Sequence, residues 1–146
     1  MPTRDERREA AAKNLALMRG AFASETKATV EAAKIYENGE GRELPVAEGD
    51  GETATSVTTD FAPKAVFSAQ GKVVVVDPCS FTRPGGAYED GSFGPEQILC
   101  AESNLYPALR SCKELYHDKN RGYSCGMLFT DRALYLPDVA FVRDGT

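Results

Sequence analysis

The sequence predicts an α/β fold built around a strand buried on both faces, and three observations carry that prediction. The first is a proline-free opening from Arg4 to Asn38, dominated by Ala, Leu, Met, Glu, Lys and Arg, which reads as helix. The second is Val73-Val74-Val75-Val76, a continuous apolar run whose lack of alternation marks a central strand. The third is a loop rich in Pro and Gly directly after that run, leading to Pro95, which suits the first position of a helix because its missing N–H costs nothing there. At 146 residues and 42% apolar content the chain supports one core. We therefore expect a single domain over residues 1–146, with N-terminal helices in 1–40 and the core with its loop in 71–146.

In the opening segment Leu15, Met18 and Phe22 recur at helical spacing, and Gly20 with Ser24-Glu25-Thr26 is placed to split it in two. Val30, Ala33, Ile35 and Tyr36 give the second half its apolar face, and Asn38-Gly39 stops it, Gly adopting the left-handed terminal conformation cheaply. Thr53 to Thr59 is β-branched and suits an edge strand, while Asp60 to Gln70 suits a short helix or turn. Val73 to Asp77 is the central strand and Pro95 to Asn104 a helix. Pro107 starts a second, offset helix with Leu109, Cys112 and Tyr116 on one face. Gly122 to Gly126 reads as a turn, and Met127 to Thr130, Arg132 to Leu136 and Val139 to Val142 as short strands. The expected inventory is about four or five strands and three or four helices.

Seventeen Lys and Arg against 22 Asp and Glu leave a net charge of −5, with no basic half. That argues against direct nucleic-acid or anionic-membrane binding as the main activity. The longest apolar run, Val73 to Val76, is far short of the ~20 residues a membrane span needs. The charged N-terminus leads into no apolar region, so no secretory signal is read and a cytoplasmic location is expected. Cys79, Cys100, Cys112 and Cys125 stand far apart and the single histidine is His117. That is too sparse for a zinc site, so the thiols are expected reduced and mostly buried, with no metal and no cofactor. His117 is expected exposed, near a helix C-terminus.

Ligands of open α/β sheets bind outside the carboxyl ends of strands, which points to the loop after Val76. Its residues run Asp77-Pro78-Cys79-Ser80, then Pro84-Gly85-Gly86-Ala87, then Pro95-Glu96-Gln97, then Leu99-Cys100-Ala101-Glu102-Ser103-Asn104-Leu105-Tyr106-Pro107. With Tyr135 to Val139 and Phe141 to Asp144, this order resembles the microbial-type poly(ADP-ribose) glycohydrolase family. There a buried strand ends in an Asn-Phe-Ala-Ser-type loop, followed by Pro-Gly-Gly-Gly, a short spacer, and Gln-Glu-Glu opening a helix with a Leu-Cys-Arg-x-Ser-x-Leu-Tyr-type motif. The likeness covers nearly the whole chain, because Arg7 to Tyr36 also fits the family's N-terminal helices.

The resemblance implies an α/β, macrodomain-like mixed sheet flanked by helices. It also implies recognition of ADP-ribose or an ADP-ribosylated protein and hydrolysis of ribose–ribose O-glycosidic bonds. Carried over residue by residue, the ligand-binding positions are Asp77, Gly85, Gly86, Ala87 and Phe93, with Tyr88 a second aromatic. The catalytic positions are Glu96 and Gln97. Two departures matter. Ala87 stands where the family has its third loop glycine, and a methyl there pushes the diphosphate or ribose outward. Gln97 stands where the family has its proton donor, and an amide cannot act as a general acid near neutral pH. A one-residue shift would give that role to Glu96.

Each feature also has a plainer reading: Pro84-Gly85-Gly86 as a surface turn, Asp77 as a cap at the strand end, Glu96 as a favourable charge at a helix start. Three functional readings stand side by side. One is a hydrolase, the second a module that binds ADP-ribose or a related nucleotide without cleaving it. The third is a partial domain acting by association, since family members run on past the Phe-Arg-Asp segment. A sheet lacking that C-terminal part would expose an edge for a partner or second copy.

Overall fold

The computed structural model describes residues 2–37, 39–46, 49, 51–122 and 130–145. Helix α1 (Arg4–Gly20) begins at a capping box. The Thr3 hydroxyl accepts the Glu6 N–H at 3.3 Å, and the Glu6 carboxylate accepts the Thr3 N–H at 2.6 Å. Ala11, Asn14, Leu15 and Met18 form its buried stripe. The helix breaks at Gly20, as expected, and α2 (Ala23–Glu31) comes next. Lys34–Tyr36 is not the continuation of that helix but strand β1, paired antiparallel with β2 (Ala133–Tyr135) in the register Ile35↔Leu134. A β-branched residue beside an aromatic favours the pleated pairing once a partner is present.

Helix α3 (Ala62–Ser68) lies within the segment read as a short helix or turn. Helix α4 (Pro95–Glu102) starts at its proline, and α5 (Leu105–Ser111) starts two residues before Pro107. Ser103 explains the early start: its hydroxyl donates to the Leu99 carbonyl at 2.7 Å and accepts the Leu105 N–H at 3.1 Å. One side chain thus closes α4 and opens α5. A last short helix, α6 (His117–Asn120), precedes the undescribed residues 123–129, which include Cys125, most of the expected turn and most of the expected strand from Met127.

The core joins Ala11 and Leu15 of α1 to Leu99 and Cys100 of α4 and to Leu105, Tyr106 and Leu109 of α5, with Tyr88 among them. The rings of Tyr88 and Tyr106 lie 4.9 Å apart. At the centre, the Asn14 amide donates to the Cys100 carbonyl at 3.1 Å and accepts from Arg143 at 3.0 Å, fastening the C-terminal segment onto α1. A second clamp is the buried guanidinium of Arg132, which donates to Glu37 at 2.7 Å and 3.2 Å and to the side chain of Asn120. Asn120 donates in turn to the Phe81 carbonyl at 2.8 Å, so the β1–β2 pair, α6 and the long loop are tied in series.

The mixed sheet is corrected: among the described residues the sheet is two-stranded and antiparallel, beside six α-helices. Val73–Val76 is not helix, but it joins no ladder there, and Val74 and Val76 are 81% and 87% exposed. Only Val75 packs against the core. A continuous apolar run is buried on both faces only when strands and helices flank it, and the described residues supply neither. Thr53 to Thr59 is likewise exposed and joins no ladder among the described residues. Val139 to Val142 makes no strand, only an isolated bridge between Phe141 and Ser103.

His117 is fully buried, against expectation, its ring edge-on to Tyr116 at 5.1 Å. Burial drives its pKa down to about 4, so it sits neutral. Cys100 and Cys112 are buried free thiols and Cys79 is half-buried. No helix among the described residues is long and apolar enough to cross a membrane.

Candidate functional site

The loop after Val76 returns onto the first turn of α4. Pro95 sets the helix start, and the turn directs Glu96 inward, where it is 4% exposed. One carboxylate oxygen accepts the Gly85 N–H at 2.8 Å and the other accepts the Ser80 N–H at 3.2 Å. Burial raises the Glu96 pKa, and these two N–H bonds pull against it. Gln97 reaches the same residue from the other end, donating to the Gly85 carbonyl at 3.0 Å.

Gly85 and Gly86 both have left-handed backbones, with φ of 71° and 57°. A Cβ on Gly85 would lie 2.3 Å from the Tyr106 ring, and one on Gly86 would lie 2.8 Å from the Gln97 amide nitrogen. Gly85 is therefore favoured both by conformation and by close approach, and Gly86 by conformation, its added Cβ meeting only the end of a flexible side chain. Ala87 has φ −104°, outside the left-handed region, so its backbone is not one that only glycine adopts readily. Of the three amides expected to face a ligand, that of Gly85 is bound to Glu96 and that of Gly86 donates to the Arg83 carbonyl at 2.9 Å. The Ala87 N–H has no partner among the described residues.

Asp77 lies at the mouth of the loop, half-buried, with both carboxyl oxygens enclosed and without a partner among the described residues. Burial, and then the charge of Glu96, raise its pKa to about 7. Two carboxyls pushed toward their protonated forms share this corner of the molecule, an arrangement that holds a proton near neutrality. The Cys79 thiol is pushed up to about 11 by burial and by the same carboxyls, which leaves it a poor nucleophile.

The aromatics divide. Tyr88 is a core residue whose hydroxyl accepts from Asn14 at 3.3 Å, so it offers no free face to a base. Phe93 is 46% exposed, with the Arg7 guanidinium 5.6 Å from its ring centre and Phe61 edge-on at 6.0 Å. It stands on the α1 side of the loop, packed with those two residues. Asp77, Gly85, Gly86, Glu96 and Gln97 are thus brought together, and Ala87 adjoins them. Among the described residues no group of three His, Cys, Asp or Glu side chains converges as metal ligands would.

Sequence reasoning passes over a cavity of about 250 Å³ that shares Gly86 and Ala87 with this site. Arg83, Arg110, Lys113 and Arg121 line it. The one available signal is the three-residue step from Arg110 to Lys113 around the end of α5, which sets two cations on one side of the chain.

Fold and site together define the class: an α/β domain with a carboxyl-bearing site beneath a double-glycine loop seated on a helix start. The sequence matches the family model of the microbial-type PARG catalytic domain over residues 6–144, and the chain belongs to that family. Among solved structures it is similar to poly(ADP-ribose) glycohydrolase from Thermomonospora curvata, with a TM-score of 0.77 at 22% identity, covering 95% of this chain and 57% of that one. The same enzyme bound to the inhibitor ADP-HPD aligns with a TM-score of 0.73, also at 22% identity, over 95% of this chain and 56% of the other. The chain thus spans little more than half the length of these structures. No curated protein matches the sequence.

Proposed function

We propose that the domain recognises ADP-ribose in the crevice between the 77–87 loop and the first turn of α4, in the manner of a macrodomain, and cleaves poly(ADP-ribose) weakly. The observation that carries this reading is the Gly85 backbone, held at its N–H by Glu96 and at its carbonyl by Gln97. The two residues at the catalytic positions are thereby engaged in building the loop.

Cleavage of a ribose–ribose bond passes through an oxocarbenium-like transition state and needs a proton for the departing oxygen. Gln97 has none to give. Both Glu96 oxygens are occupied by backbone N–H groups, and the Asp77 carboxyl, which retains a proton near neutrality, is enclosed. The Ala87 N–H is left to donate to a diphosphate or ribose oxygen, so recognition outruns turnover. Calorimetric titration tests it: ADP-ribose should bind more tightly than ADP or AMP, and equal or absent binding of all three would remove the proposal.

The exposure of Val74 and Val76 favours a second reading, association of the uncovered extended segment around them with a second copy or a protein partner. An elution volume that shifts with concentration in size exclusion would support it. We take the location to be cytoplasmic, with reduced thiols, and assign no direct nucleic-acid or membrane partner.

A further inference from the structure

Helix α1 opens with acids and bases in close alternation, and most of the acids are engaged locally. Asp5 pairs with Arg8 at 3.1 Å, Glu9 with Lys13 at 2.7 Å, and Glu6 is held in the capping box. Arg4 and Arg7, three positions apart and so on one face, enter no ion pair among the described residues. Both instead donate from Nε to the backbone of the long loop, Arg4 to the Asp90 carbonyl at 2.9 Å and Arg7 to the Gly91 carbonyl at 2.8 Å. Hydrogen bonds from charged donors are the stronger kind, and two of them converge here on consecutive carbonyls.

Gly91 lies directly against that helix. Its backbone is left-handed, with φ 72°, and a Cβ there would overlap the Arg4 carbonyl oxygen and stand 2.9 Å from the Arg8 nitrogen. Both atoms belong to the α1 backbone and cannot swing aside. From Gly91 the contact runs inward through the loop's own bonds. The Ala87 carbonyl accepts the Asp90 N–H at 3.1 Å and the Ser92 N–H at 3.2 Å, and the Gly85 carbonyl accepts the Tyr88 N–H at 3.2 Å. Residues 85–92 thus form a compact turn pinned by Glu96 and Gln97 at one end and by α1 at the other. The Ala87 N–H lies between the two anchors.

We propose that Arg4 and Arg7 are positioning residues for the candidate site, and that the first two turns of α1, with Gly91 seated on them, hold the 85–92 turn in its binding form. The link to affinity rests on the ADP-ribose reading above. Without the seat the turn opens, and since only the closed fraction binds, the apparent affinity weakens in proportion.

Arg4→Met/Arg7→Met keeps the aliphatic stems and removes the donors. Arg8→Met/Lys13→Met removes the same charge from exposed ion pairs on the same helix, pairs worth little to stability. Each is compared with the native chain by amide hydrogen exchange and by titration with ADP-ribose, and thermal melts verify that both are folded. In Arg4→Met/Arg7→Met the amides of Tyr88, Asp90, Gly91 and Ser92 should exchange roughly tenfold faster while those of α5 hold. ADP-ribose affinity should fall by roughly three- to tenfold, and Arg4→Lys/Arg7→Lys, which restores a donor at each position, should recover most of it. The charge-matched control should change neither. Gly91→Ala should reproduce the loss from the loop side, and adding it to the arginine pair should cost little more, because both break one contact. Unchanged exchange in the folded arginine variant would overturn the seat. Faster exchange with unchanged affinity would overturn the positioning role, as would an equal loss of affinity in the control. If the native chain does not bind ADP-ribose, arginine-dependent exchange at these amides supports the seat and removes the first-site reading, and unchanged exchange removes both.

Discussion

Glu96 accepts the backbone N–H of Gly85 at 2.8 Å from eleven positions further along the chain. Since its second oxygen takes the Ser80 N–H, this one carboxylate sets the path of the loop against α4. Glu96→Ala leaves two N–H groups without acceptors, at about 1–3 kcal/mol for each that stays buried. We expect a loss of about 2 kcal/mol, read as a lower urea midpoint with an unchanged slope. An unaltered midpoint would show that the loop does not depend on this residue.

The two loop glycines should differ in their tolerance. Alanine at Gly85 meets the buried Tyr106 ring in a left-handed backbone, whereas alanine at Gly86 meets only the flexible end of Gln97. Gly85→Ala should therefore cost several times the roughly 1 kcal/mol of left-handed strain expected for Gly86→Ala. Comparing the two melting temperatures decides it, and equal values would contradict the placement of Tyr106.

Two buried groups give stability opposing pH slopes. Asp77 titrates near 7 in the fold against an ordinary 3.8, so the folded chain holds the extra proton and stability falls as pH rises through that window. His117 titrates near 4 against 6.5, so the unfolded chain binds the extra proton and stability falls as pH drops through its window. Asp77→Asn should leave a stability that climbs between about pH 4 and 6.5 and should exceed native stability above pH 7. His117→Gln should leave one that declines from about pH 4 to 7, with Glu96 adding the same sign. Urea midpoints across this range would show both, and parallel curves for the two variants would contradict the assignment.

Turnover should respond to Gln97→Glu. The Gln97 amide donates to the Gly85 carbonyl, and a carboxyl in its place keeps that bond only while protonated. The loop would therefore raise the pKa of the new acid, as a proton donor requires. Cleavage of poly(ADP-ribose) should rise toward the ~10²–10⁴-fold that a general acid contributes, with little change in ADP-ribose affinity. Turnover unchanged in a variant that still binds would show that the donor is not the missing element. If instead the native chain is fully active and Glu96→Gln abolishes that activity, Glu96 is the acid.

Local signals carry much of the fold. The break at Gly20, the helix start at Pro95 and the glycine pair opposite Glu96 and Gln97 all arise from backbone preferences legible within a few residues. The failures are long-range. Ile35 and Tyr36 turn from helix to strand because Ala133–Tyr135 lies beside them, a contact spanning about a hundred positions that no periodicity reveals. The valine run reads as buried because apolar runs normally are, yet burial depends on neighbours the run itself does not encode. His117 is instead a local miss, since the ring packed edge-on against it belongs to the residue just before it, Tyr116. At the site, residue types are readable, but the engagement of both catalytic positions with Gly85 is not, since it depends on how the loop folds back.

The exposed valines also govern how the protein behaves in concentrated solution. Val73 to Val76 combines strong β-propensity with no charge and no proline, the composition from which stacked intermolecular strands are built. Natural sequences flank such tracts with charged gatekeepers. Here one flank is the exposed Lys72, while the other, Asp77, is half-enclosed and gives up much of its charge at neutral pH. Of the two flanking charges only that of Lys72 stands open to solvent, and a rise in pH above about 7, by ionising Asp77, adds to the guard.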